Sequence, residues 1–230
     1  MFIPLHDNTP LRVIRFQLIT VLIIAANVAL YLATGAFTSE RVLLAVATGY
    51  GLVPGELTGL AANGFGHDPI AEPLTLVTYQ FLHAGWMHLL SNMLFLWVFA
   101  DNIEDAFGHV AFALFYLFCG ITGGLAHVLM QPGSLAPLVG ASGAVSGVLG
   151  AYMVLYPKSR VWILLFMRLP LRIGALWVLG GWFILQLVSL FMDQGNGEVS
   201  VAWWAHIGGF LAGSGLTWAI RRRLYLRMGE

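Results

Sequence analysis

A hydroxyl and an imidazole set in otherwise apolar sequence are the first chemistry this chain offers. Ser142 lies in "GASGAVSG" (140–147) and His206 in "VAWWAHIGGFLAG" (201–213). A serine hydroxyl attacks a carbonyl only when a neighbouring base takes its proton, and histidine is the side chain suited to that exchange near neutrality. The oxyanion that forms then needs hydrogen-bond donors aimed at it. "HAGWMHLLSN" (83–92) supplies two candidates, His88 and Asn92, four residues apart and so on one helix face. The backbone N–H of Ser142 is a third. No Asp or Glu stands at the same level of the apolar segments, so the spacing predicts a Ser-His dyad whose imidazole is oriented by tight glycine packing. Taken singly, Ser142 also reads as a helix serine bonded to the carbonyl four residues back, and His206 as a satisfied core histidine.

The elements that must position these groups are membrane spans. Of 230 residues, 59% are hydrophobic and 10% charged, against about 45–50% and roughly 25% in soluble domains. Apolar stretches near 16–34, 86–107, 110–130, 137–156, 172–192 and 201–220 each approach the twenty or so residues that cross a hydrocarbon core. An all-α bundle of six spans is predicted, in a single domain over 1–230. A long outer loop, 35–85, carries turn-forming Gly, Pro, Asn and Asp and packs partly at the bilayer interface. The first stretch, behind Arg12 and Arg15, is expected to remain as a signal anchor. Cys119 reads as a lone thiol in a packed helix.

Charge orients the bundle. Arg12, Arg15, Lys158, Arg160, Arg168, Arg172, Arg221, Arg222, Arg223 and Arg227 fall on one side. The other keeps Arg41 with Glu40, Glu56, Asp68, Glu72, Asp193 and Glu198. The positive-inside rule then places both termini in the cytoplasm. Spans two, four and six run from outside to inside, so Ser142, His206, His88 and Asn92 share a depth of about 5–10 Å below the outer boundary. Polar groups at one depth fit a converging site, and the outer ends of these spans could hold the water that hydrolysis needs. The glycines beside His206, Gly209 and Gly213, form a small-residue stripe on which a neighbouring helix can pack closely. Ser146, Gln186 and His127 are read as hydrogen-bonding or interfacial residues, and His6, His67 and His109 receive no role.

These motifs resemble, together and in order, those of the rhomboid family of intramembrane serine proteases. "GASG" (140–143) is similar to the family's nucleophile motif, which implies Ser142 as nucleophile, Gly143 as a supporting residue, and Gly140 and Ala141 as oxyanion or substrate-binding positions. "AHIGGFLAG" (205–213) implies His206 as general base with Gly209 and Gly213 at packing positions. "HAGWMHLLSN" implies oxyanion roles for His88 and Asn92 and a supporting role for His83. "NIEDAFG" (102–108) implies that Glu104 accepts hydrogen bonds fixing the next loop. Two departures stand out. A Trp-Arg pair of many rhomboids would align near Leu74 and Thr75, and an aromatic ring that some bacterial members stack on the imidazole would stand where Ser146 is.

The resemblance implies a serine endopeptidase that cleaves single-pass transmembrane proteins within the lipid bilayer near their outer ends. Substrates would enter laterally beside spans two and five, with Trp182 and Phe183 as gate candidates. No metal or organic cofactor is implied, since there is neither a His-Glu-x-x-His run nor a pair of intramembrane aspartates. No nucleic-acid partner is called for, and the sequence assigns no oligomeric state. A bacterial inner membrane is the expected location, from compactness and the lack of targeting extensions. A small-solute transporter predicts repeats or a polar path to the inner side, and a non-catalytic rhomboid-like adaptor predicts loss of Ser142 or His206.

Overall fold

Runs of leucine, valine, alanine and phenylalanine without interior proline leave the backbone one economical way to satisfy its polar groups in an apolar surrounding, the α-helix. The computed structural model describes residues 2–36, 38–61, 69–166, 168–192 and 202–229. His67, Asp68, Asp193 and Glu198 lie outside them.

Helices α1 (Leu18–Thr34), α5 (Trp86–Phe107), α6 (His109–Met130), α7 (Ser142–Leu155), α8 (Ala175–Met192) and α9 (Trp203–Met228) fall on the six apolar stretches. Among the described residues, α6 and α8 are by themselves long and apolar enough to cross a membrane. Phe99, Leu96, Ile103, Phe112, Leu149 and Tyr152 fill the core between the helices. Trp97, Val110, Leu114, Leu129, Ile184, Phe191 and Leu211 point outward, a distribution that suits lipid and not water. The outer loop is built from α2 (Glu40–Tyr50), α3 (Pro54–Thr58), α4 (Glu72–Thr78) and a 3-10 turn, Tyr79–Phe81.

Two expectations are corrected. The fourth apolar stretch is helical only from Ser142. Pro137 and Gly140 break the pattern, and Leu138 instead exchanges backbone hydrogen bonds with Leu52 of the outer loop (3.0 and 2.8 Å). The chain is also not wholly helical. Strands β1 (Phe2–Asp7), β2 (Arg160–Leu165) and β3 (Leu169–Gly174) form an antiparallel sheet in the order β1-β2-β3. Its middle strand alternates, with Val161 and Ile163 buried between exposed Arg160 and Trp162, the two-residue period of a half-buried strand. β1 is tied to α7 as well, where Tyr152 donates a hydrogen bond to the buried Asp7. Burial pushes the Asp7 carboxyl above its ordinary range.

At the C-terminal end of α5, two adjacent carboxylates hold the start of α1. Asp105 accepts from the backbone N–H groups of Arg12, Val13 and Ile14 (2.9, 2.8 and 2.7 Å). Glu104, fully buried, accepts from the N–H groups of Ile19 and Thr20 (2.9 and 2.8 Å) and from the Thr20 hydroxyl. No side chain at the N-cap of α1, Gln17, does this, so Glu104 caps that helix from a distance and faces the positive end of its dipole. Glu104 thus caps α1 in addition to bonding at the next connection, where it was expected to act. The next connection is the single residue Gly108, with φ 82°, and Glu104 binds α1 on one side and His109, the first residue of α6, on the other. His109 thus has a structural role that its sequence context did not assign. Replacing Glu104 by alanine orphans the buried N–H of Thr20 and the part-buried one of Ile19 and should lower stability by about 2 kcal/mol, read as a fall in the unfolding midpoint in mixed micelles. An unchanged midpoint would show that water caps α1 equally well.

Candidate active site

α6, α7 and α9 pack against one another, and glycine sets how closely. A side-chain carbon added to Gly209 would sit 2.0 Å from the Gly143 carbonyl oxygen, and one added to Gly213 would sit 2.1 Å from that of Gly147. The two backbones therefore touch, which brings the first turn of α7 level with the first turns of α9.

That register places His206 Nε2 2.8 Å from Ser142 Oγ. The other ring nitrogen, Nδ1, lies 2.8 Å from Gln186 Oε1 on α8. An amide oxygen only accepts, so Nδ1 carries the hydrogen and Nε2 presents its lone pair to the serine hydroxyl, which donates to it. Trp203 meets the imidazole edge-on with centroids 6.0 Å apart, and Trp182 lies at 6.3 Å with its plane tilted by 34°. The aromatic neighbour missing at position 146 thus comes from α8 and α9. Ser146 itself donates to the Ser142 carbonyl at 2.6 Å, the ordinary bond of a helix serine.

Ser142 opens α7, and the residue before it, Ala141, makes no side-chain cap. The N–H groups of the first turn consequently have no partner within the helix. The segment leading in is held from the outer loop: Gly140 N–H donates to the Tyr79 carbonyl at 2.9 Å, and Tyr79 Oη donates to the Gly120 carbonyl at 2.6 Å. Gly140 has φ 130°, in the region that favours glycine. An added carbon there would lie 2.6 and 2.7 Å from His88 Cε1 and Nε2, and 3.7 Å from Ser142 Oγ. The His88 ring thus occupies the space that Gly140 leaves, on the same side as the serine hydroxyl.

His88 stands edge-on to His83, with centroids 5.1 Å apart. His83 Nε2 lies 3.2 Å from Asn92 Nδ2, so the amide donates to it. His83 accordingly holds the Asn92 side chain, and this contact gives physical content to its supporting position. His83 and Asn92 are buried. Ser142, His206, Gly140, His88, His83 and Asn92 therefore form one connected group. Glu104 is not part of it and lies at the opposite end of α5. A cavity of about 320 Å³ opens between α1, α2 and the 82–84 and 137–139 segments; His83 reaches its wall, but Ser142 and His206 do not line it.

Trp182 and Phe183 face inward, Phe183 stacked on Phe210 of α9 at 4.3 Å. At the positions of the absent Trp-Arg pair, Leu74 is exposed and Thr75 is buried, donating to the Glu72 carbonyl. Sequence reasoning did not connect Gln186 or Tyr79 to the site. Gln186 carried a partial signal, an amide in the apolar run of α8, which calls for a hydrogen-bond partner without naming it. Tyr79 carried none, because its role depends on how the outer loop folds back.

Comparison with known proteins gives a match to the Rhomboid domain family model over residues 71–223. Among curated relatives, the rhomboid-like protease 3 of Toxoplasma gondii is 35% identical over 141 residues, 61% of this chain and 49% of the relative. The rhomboid protease GluP of Bacillus subtilis (strain 168) is 33% identical over 138 residues, 60% of this chain and 24% of the relative. The chloroplastic rhomboid-like protein 11 of Arabidopsis thaliana is 43% identical over 86 residues, 37% and 30% of the two chains. The chain spans less than half the length of each of these relatives.

Proposed function

We propose that this chain, which belongs to the rhomboid family and is a helical, polytopic integral membrane protein, is an intramembrane serine endopeptidase working through Ser142 and His206. The observation that carries this reading is the 2.8 Å approach of His206 Nε2 to Ser142 Oγ, with Nδ1 already engaged. Ser142 Oγ attacks the scissile carbonyl while His206 Nε2 takes its proton. The proton passes to the leaving amine as the tetrahedral intermediate collapses to an acyl-enzyme. His206 then deprotonates a water, which releases the acyl group and regenerates the serine. The oxyanion is met by the free N–H groups at the start of α7 and by donors from His88 and Asn92, with Gly140 and Ala141 forming the wall beside them.

In this reading α1, α5, α6, α7, α8 and α9 each cross the bilayer, as one domain. Arg221, Arg222, Arg223 and the β2–β3 cations lie on the cytoplasmic side, with both termini. A bacterial inner membrane is the proposed location. The substrates are single-pass transmembrane proteins whose helices unwind near the outer boundary, because an intact helix shields its carbonyls in internal hydrogen bonds. They arrive from the lipid beside α5 and α8.

The test is cleavage of a tagged single-span substrate in liposomes by the wild type and by Ser142→Ala. Wild-type cleavage that disappears in Ser142→Ala is the expected result. Equal cleavage by both proteins would remove the serine-protease reading, and no cleavage by either would favour a binding role on the same scaffold.

A further inference from the structure

We propose that Gln186 is the positioning residue of the general base, favouring the tautomer of His206 that can accept the serine proton and so coupling the seating of α8 to the fraction of competent pairs. The proposal rests on the protease reading and deepens it.

The buried residues of α8 are Ala175, Val178, Leu179 and Gln186. Around Gln186 the helix is apolar and outward-facing, with Ile184, Leu185, Val188, Phe191 and Met192 all exposed. A primary amide in such a helix is strongly unfavourable unless it is hydrogen-bonded. The bond that satisfies its oxygen goes to a ring nitrogen of the residue that faces Ser142.

A neutral imidazole has one N–H and one lone pair, and their placement decides whether it can act as a base toward Ser142. With an acceptor at Nδ1, the hydrogen stays there and Nε2 is free to receive a proton. Without it the two tautomers compete, and the one protonated at Nε2 cannot start the reaction. The contact also strengthens as the reaction proceeds, because a hydrogen bond from the charged imidazolium is worth about twice one from the neutral ring. An amide does this without placing a net charge in a low-dielectric site, which a carboxylate would. The remaining groups facing the ring are Ser142 on α7, the neutral rings of Trp182 and Trp203, and two titratable side chains, His88 on α5 and His127 on α6. Neither histidine is an acceptor to Nδ1.

A rocking of α8 by an ångström or two would break the 2.8 Å bond while leaving the α7–α9 glycine contact untouched. The competent tautomer is thus favoured only while Gln186 on α8 stays within hydrogen-bond reach of His206.

The experiment compares full-length wild type, Gln186→Met and Gln186→Glu in detergent micelles, reading kcat, KM, the kcat–pH profile and the ¹⁵N shifts of the His206 ring. Methionine keeps the length and removes the acceptor. It should lower kcat about ten-fold with KM little changed and turn a single Nδ1–H tautomer into a mixture. Glutamate restores the acceptor, so kcat should recover to within about three-fold of wild type. Its negative charge holds a proton on the imidazole more tightly, so the acid limb of the profile should move to higher pH. Wild-type kcat and an unchanged tautomer in Gln186→Met would overturn the proposal, as would an unmoved acid limb in Gln186→Glu if the methionine variant fails to fold. Absence of Ser142-dependent cleavage in the wild type would instead strike the protease reading, and the ¹⁵N comparison would still decide the role of Gln186.

Discussion

His206→Ala is expected to lower kcat by roughly 10³- to 10⁴-fold, and the Ser142→Ala/His206→Ala double variant to be no slower than the worse single variant. The two side chains share one proton, across 2.8 Å. Once the base is gone, the hydroxyl is an ordinary alcohol, and deleting it removes little more. Residues that act as a unit give such non-additive losses, whereas independent contributions multiply. Single-turnover cleavage of a fluorogenic transmembrane peptide reads the residual chemistry apart from binding, and peptide affinity should hold in all three variants. Multiplying losses would mean that Ser142 and His206 contribute separately and that no proton passes between them. Retained kcat in His206→Ala would assign the base elsewhere.

The second large effect is on stability. Gly213→Ala puts a methyl group 2.1 Å from the Gly147 carbonyl oxygen and 2.6 Å from its Cα. Neither obstacle is a flexible side chain, so α9 must back away from α7. Overpacking of this kind costs about 1–3 kcal/mol, at the upper end where backbone must move. Gly215 is on the same helix, two residues on, and an added carbon there meets nothing within 4 Å. Gly215→Ala should therefore be neutral or slightly stabilising, since alanine is the better helix former. Thermal unfolding in micelles should show a clear drop in midpoint for the first variant and none for the second. Cleavage by Gly213→Ala should fall as well, because the contact that widens is the one that sets Ser142 level with His206. Equal midpoints for the two variants would mean that α7 and α9 separate at little cost.

Much of this architecture could be read from residue order alone. The ranges of α1, α5 and α6 follow from apolar runs bounded by Gly108 and by charged or aromatic ends. Ser142, His206, His88 and Asn92 could be grouped because helices of known direction convert sequence position into depth. What escaped was whatever depends on a partner far along the chain. The alternation in Arg160–Leu165 marks a strand, but Arg160 and the cations around it drew attention to topology, and its partner β1 lies far earlier in the chain, Asp7 opposite Val161. Glu104 looked like a loop anchor because the helix it caps, α1, comes earlier in the chain and carries no cap of its own. Gln186 looked like a helix tie, since a single glutamine in an apolar helix gives no hint of which neighbour it meets. Pro137 and Gly140 did announce a break before Ser142, but the surrounding apolar residues outweighed them.

The three-stranded sheet also bears on the order in which the protein assembles. β1 is synthesised first and pairs with β2, whose residues emerge only after α7 has been made. Until β2 emerges, the edge of β1 has no mate, and a solitary strand gains almost nothing from its own backbone. Arg12, Val13 and Ile14 find Asp105 earlier, once α5 is complete. The first helix can thus be moored before α6 and α7 are made, while β1 stays open to chaperones or proteases until β2 has emerged behind α7.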